Sequence, residues 1–96
     1  MAYDKTLLAP GELAAFLNQH PSWKVEGGEL TKTFEFERFL QAIAFVDKVA
    51  AAAERADHHP DIDIRYRKVT LRLITHAAGG LTYRDAQLAE ECELLA

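Results

Sequence analysis

The chain has 96 residues, 49% hydrophobic and 27% charged, with a formal net charge of −4. These proportions describe one small folded domain and exclude a disordered chain, while the negative balance argues against a nucleic-acid or anionic-membrane surface as the main partner. The single cysteine, Cys92, leaves no intrachain disulfide framework and no C-x-x-C metal site.

No apolar run approaches membrane-spanning length, and Met1-Ala2-Tyr3-Asp4-Lys5 lacks the basic-then-apolar layout of a signal peptide. A soluble, reducing compartment, the cytoplasm, is therefore expected. With no linker, repeat or low-complexity tract, residues 1–96 read as a single domain.

Pro10 and Gly11 open a short helix with Leu13, Ala14, Phe16 and Leu17 on its apolar side, ended by His20-Pro21. Ser22 to Glu26 reads as a strand, Gly27-Gly28 as a tight hairpin turn, and Leu30 to Phe36 as its partner. In that partner Leu30, Phe34 and Phe36 share one face and Thr31, Thr33 and Glu35 the other. From Arg38 to about Ala56 the period becomes helical, with Phe39, Ile43, Val46, Ala50 and Ala53 as the apolar stripe. Two strands follow, with Ile62, Ile64 and Tyr66 alternating with acidic and basic residues, then Val69, Leu71 and Leu73 alternating with Thr70, Arg72, Ile74 and His76; the chain reverses near Arg67. Thr82-Tyr83-Arg84-Asp85 resembles a capping box opening a last helix with Leu88, Cys92 and Leu95 in its stripe. The order is α-β-β-α-β-β-α, which predicts an α+β fold: a four-stranded antiparallel sheet with helices packed on one face.

Three of the four histidines, His58, His59 and His76, return to one place across the second hairpin. Imidazole, with an unperturbed pKa of about 6.5, can both give and take a proton near neutrality. Pro60 disfavours helix at His59, so the pair sits where the long helix has just ended. Glu54 and His58 are four apart, which makes them neighbours if the helix reaches His58; a carboxylate there fixes the ring tautomer. His76, at the end of the fourth strand, lies roughly opposite His58 or His59 by ladder counting, and Thr75 is placed to hydrogen-bond a polar ring.

Blander readings compete. Histidines in a small protein are most often surface or satisfied core residues. A zinc site from His58, His59 and His76 with Asp61 or Asp63 is disfavoured because adjacent histidines on an extended strand point to opposite faces. Cys92 reads as core, no serine sits in a nucleophile elbow, and Gly79-Gly80 reads as a turn. Trp23 and Phe34 read as core residues. Arg65, Arg67, Lys68 and Arg72 form a local basic patch, most simply a solvated hairpin.

Glu54-x-x-x-His58-His59-Pro60-Asp61, Tyr66-x-x-Val69 and Thr75-His76-x-x-Gly79-Gly80-Leu81-Thr82-x-x-Asp85-x-x-Leu88-Ala89 together closely resemble the pterin-4a-carbinolamine dehydratases, also known as dimerisation cofactors of a hepatocyte nuclear transcription factor. The likeness extends back to Trp23-Lys24-Val25, Phe34-x-Phe36 and the Phe39–Ala53 helix. It implies dehydration of 4a-hydroxytetrahydrobiopterin to quinonoid dihydropterin, without metal or organic cofactor. Carried over by position, it implies acid–base roles for His58 and His76, substrate binding by His59, and a supporting carboxylate in Glu54. Asp57, Ile74, Thr75 and Ala77 match positions around the bound pterin. Two departures stand out: Ile62 replaces a frequent aromatic, and Arg67 replaces an asparagine common after the hairpin tyrosine.

The resemblance also implies a homodimer or homotetramer, with no direct nucleic-acid contact and no membrane. Two other functions stay open: a non-catalytic interaction module, either transcriptional coactivator or assembly factor, and action on another pterin such as a molybdopterin-related compound. Four titratable groups in one place favour the enzyme, because a scaffold has no physical need of them.

Overall fold

The computed structural model describes residues 5–96; residues 1–4, which carry most of the stretch read against a signal peptide, lie outside the described residues. The elements are α1 (Pro10–Gln19), β1 (Lys24–Glu26), β2 (Glu29–Glu35), α2 (Phe39–Ala56), β3 (Asp61–Arg65), β4 (Lys68–Leu73), a 3-10 turn (His76–Ala78) and α3 (Tyr83–Leu95). The expected order and α+β class hold. All pairings are antiparallel, in the spatial order β1-β2-β4-β3.

Pro10 stands at the first position of α1, where a missing N–H costs nothing, and Glu12 Oε1 accepts from the Ala9 N–H at 2.8 Å. Phe16 is the buried residue of α1, with Leu13 and Leu17 partly buried; Ala14, grouped with them from sequence, is exposed. β1 is shorter than expected because the Trp23 N–H is already spent on His20 O, at 3.0 Å, in the preceding turn. Gly27 and Gly28 both have positive φ, at 58° and 80°, which is what a two-residue type I′ hairpin demands.

β2 and β4 form the centre of the sheet, paired from Leu30↔Leu73 to Glu35↔Lys68. Their inward faces bury Leu30, Phe34, Val69, Leu71 and Leu73 against Phe45, Val49 and Leu88, so one side of the sheet carries the core. On the other side the hydroxyls of Thr33 and Thr70 lie 2.8 Å apart, exposed. Trp23 and Phe34 are core residues, as expected, with their rings edge-on at 6.0 Å. Where α3 crosses this edge, Glu93 accepts from both the Trp23 indole N–H and the Lys32 ammonium.

The stripe of α2 is rotated from the expected one. Ala42, Phe45, Val49, Ala52 and Ala53 are buried, whereas Phe39 and Ala50 are exposed and Ile43 and Val46 only half-buried. The helix is apolar around much of its circumference, and the face that meets the sheet is the one whose alanines permit close approach. Phe39 instead stacks on Tyr66, with ring centroids 6.4 Å apart. Tyr66 belongs to the second hairpin turn rather than to β3, and it turns the chain in the left-handed region, at φ 55°, without a glycine. The three arginines of the basic patch are paired: Arg65 with Asp63, Arg67 with Glu35 and Arg72 with Glu26.

Cys92 is fully buried in the inner face of α3. Burial first, then the Glu91 and Glu93 charges, push its thiol from 9.0 up to about 12. Native protein should therefore resist an aromatic disulfide reagent at pH 8 and react fully once unfolded. Because the folded state holds this proton more tightly, stability should fall as pH rises above 9 toward 12. Rapid stoichiometric labelling of native protein would contradict the placement.

Candidate active site

α2 stops at Asp57, whose left-handed backbone (φ 49°, ψ 43°) breaks the helical path. Its N–H bonds Glu54 O at 3.2 Å, and the next N–H, of His58, reaches back to Ala53 O at 3.1 Å. This is a Schellman-type stop, made here with aspartate where glycine is usual. Pro60 then keeps the chain extended into β3.

The stop decides which histidine meets which carboxylate. The sequence expectation joined Glu54 to His58, which requires the helix to continue through residue 58. Because it has already turned at Asp57, Glu54 Oε1 meets His59 Nε2 instead, at 2.7 Å on the exposed surface. His58 goes inward: the residue is 6% exposed, and its Nε2 lies 2.6 Å from Oδ1 of Asp85, which is 0% exposed.

Asp85 belongs to the first turn of α3. Thr82 is the N-cap, with its Oγ1 accepting from the Arg84 N–H at 3.2 Å. Asp85 Oδ2 closes the capping box by accepting the Thr82 N–H at 2.9 Å, and it also accepts the Thr75 hydroxyl at 2.8 Å. The Thr75 proton being spent there, the Thr82 hydroxyl donates to Thr75 Oγ1, also at 2.8 Å. Both donors to Oδ2 are thus fixed, and Oδ1 accepts from His58 Nε2–H. This assigns the ring tautomer: Nε2 holds the proton and Nδ1 carries the free lone pair. Nδ1 has no hydrogen-bond partner among the described residues.

His76 was expected at the end of the fourth strand. β4 ends at Leu73, and His76 opens the 3-10 turn, exposed, one residue beyond the Thr75 that braces Asp85. Thr75 forms an isolated bridge with Gly80, and Gly79 turns the chain at φ 74°, so the strand curls into a rim here. Leu7 bridges Thr82, and the Leu8 N–H bonds Leu81 O at 2.9 Å, tying the N-terminal segment to the same loop.

Of the other residues marked from sequence, Ile74 is half-buried and Ala77 exposed, while Thr75 is fully buried with its hydroxyl committed to Asp85. Asp57 is exposed and supplies the helix stop through its backbone. His58–Asp85 and His59–Glu54 are separate pairs, and no group of three or more His, Cys, Asp or Glu is placed to hold a metal among the described residues. Sequence reasoning missed Asp85 as the partner of His58. The usable signal was an acidic capping residue flanked by Leu81, Ala86, Leu88 and Ala89, where a carboxylate must be buried and therefore partnered.

A family model described as Pterin 4 alpha carbinolamine dehydratase matches residues 6–95. A Nocardia farcinica protein bearing the pterin-4-alpha-carbinolamine dehydratase name is 53% identical over 90 residues, covering 94% of this chain and 95% of that protein. One of the same name from Chloroflexus aurantiacus is 54% identical over 82 residues, covering 85% and 88%. Among solved structures, a transcriptional coactivator/pterin dehydratase from Brucella melitensis superposes with a TM-score of 0.89 at 29% identity, covering 95% of this chain and 99% of that one. A pterin dehydratase-like protein identified as a RuBisCO assembly factor in the alpha-carboxysome superposes with a TM-score of 0.68 at 29% identity, covering 78% and 89%. The chain belongs to the pterin 4 alpha carbinolamine dehydratase family.

Proposed function

We propose that this protein removes water from 4a-hydroxytetrahydrobiopterin to give quinonoid dihydropterin, as a hydro-lyase of tetrahydrobiopterin recycling. The observation that carries this reading is the 2.6 Å contact between His58 and the buried carboxylate of Asp85. A carboxylate so placed orients the imidazole and fixes its tautomer, as a base–orienter pair does in acid–base catalysis. One group protonates the departing hydroxyl oxygen at C4a while the C4a–O bond breaks. The electron pair on N5 forms the C4a=N5 bond, and a base takes the N5 proton. One proton leaves the protein and one returns, so the cycle closes with water as the by-product.

His58 and His76 carry these two transfers. His59, held by Glu54, and the rim residues Asp57, Ile74 and Ala77 surround the pterin. Thr75 acts through Asp85 rather than on the substrate. The protein works as a single domain in the cytoplasm, as a homodimer or homotetramer. The open edges of β1 and β3, with Leu40 at 76% and Leu94 at 86% exposure, support assembly. Light scattering on purified protein showing a monomer at tens of micromolar would contradict it.

The test is stopped-flow formation of quinonoid dihydropterin from freshly generated 4a-hydroxytetrahydrobiopterin. Wild type should accelerate it and His76→Ala should lose about 10²–10⁴-fold in kcat/KM while remaining folded. No acceleration by folded wild type would overturn the reading. It would favour instead the interaction-module function, which the coactivator and assembly-factor names of the two structural relatives support.

A further inference from the structure

We infer that Arg84 is a positioning residue for His58, a role that rests on the dehydratase reading for its kinetic expression but not for its geometry. Arg84 is the second residue of α3, where a cation opposes the positive end of the helix dipole and gains nothing for that helix. Its guanidinium instead reaches the end of α2: Nη2 donates to Ala56 O at 2.7 Å and to Asp57 O at 2.6 Å. These carbonyls close a helix C-terminus, where acceptors lack intrahelical donors and a positive charge is favourable.

The place of this contact matters more than its strength. Asp57 is one of two non-glycine residues with positive φ among the described residues, and its carbonyl immediately precedes the His58 nitrogen. A left-handed aspartate has a more populated alternative, and relaxing into it would swing the next residue. Arg84 holds the backbone before His58, while its neighbour Asp85 holds the His58 ring at 2.6 Å. Two consecutive side chains of α3 thus fix one histidine from both ends, which sets where Nδ1 points. Small displacements of a reacting group are costly, about 10²-fold for an error of about 1 Å.

The experiment compares wild type, Arg84→Met and Arg84→Lys by steady-state kinetics and by the low-field proton NMR signal of the His58 Nε2–H. Arg84→Met should lower kcat about 10- to 100-fold with KM changed less than about threefold, and should broaden or shift the imidazole signal in protein that remains folded. Arg84→Lys, able to reach one carbonyl with a point charge, should recover part of both. An unchanged kcat and an unchanged signal in Arg84→Met would overturn the inference. So would losses that merely track the unfolded fraction and return fully when temperature is lowered. Should Arg84→Met not fold, Arg84→Lys decides alone: a wild-type signal and kcat in that variant overturn the inference, and a shifted signal with reduced kcat supports it. If wild type shows no dehydratase activity but the signal still depends on Arg84, the positioning stands and the dehydratase reading falls.

Discussion

Replacing His58 with glutamine should abolish most catalysis while leaving the fold in place. The glutamine amide can donate to Asp85 Oδ1 from nearly the position of Nε2, so the buried carboxylate keeps its third hydrogen bond. What glutamine lacks is a second ring nitrogen that can take up or release a proton. The expected result is a loss of about 10²–10⁴-fold in kcat/KM, with a melting temperature within a few degrees of wild type. His58→Ala is a poorer probe, because it strands Asp85 Oδ1 and mixes catalytic with structural loss; an unsatisfied buried group of this kind costs about 1–3 kcal/mol or more. Full activity in His58→Gln would remove this histidine from the chemistry.

Asp85→Asn should be nearly as damaging, by another route. The asparagine must keep its oxygen where Oδ2 now accepts the Thr82 N–H and the Thr75 hydroxyl, because both are fixed donors. Its NH₂ then faces His58 and can only donate. The ring must present Nε2 as an acceptor and carry its proton on Nδ1, the reverse of the wild-type tautomer. The imidazolium also loses its counter-charge. The same inversion in a serine-protease triad costs about 10⁴-fold, and a loss of about 10³-fold is expected here. Nitrogen-15 shifts of the His58 ring should report the exchanged tautomer. Activity within threefold of wild type would mean that Asp85 merely caps α3.

Much of the fold was legible because its signals are local. Gly27-Gly28 between alternating segments demands a hairpin, and the Val69, Leu71 and Leu73 alternation demands one buried face. The phase of α2 was not legible, since Phe39, Ile43 and Val46 match a helical stripe as well as Ala42, Phe45 and Val49 do. Only the close approach of the sheet chooses between them. The site shows the same division. The three histidines stand out in the sequence by type and spacing, but the partners of His58 and His59 do not. The Glu54–His58 pairing fails because one residue, Asp57, leaves the helix early. The Asp85–His58 pairing spans 27 residues and depends on how α3 docks against the end of α2. A capping box announces a helix start; it does not say that the capping carboxylate has a spare oxygen.

The measurement that tests the central claim most directly is a double-mutant cycle on kcat/KM across wild type, His58→Gln, Asp85→Asn and the double variant. If the pair works as one acid–base unit, the double variant should be about as slow as His58→Gln alone, because Asp85 acts only through that ring. Losses that multiply, with Asp85→Asn costing the same whether or not His58 is present, would show the two residues acting independently and contradict the account.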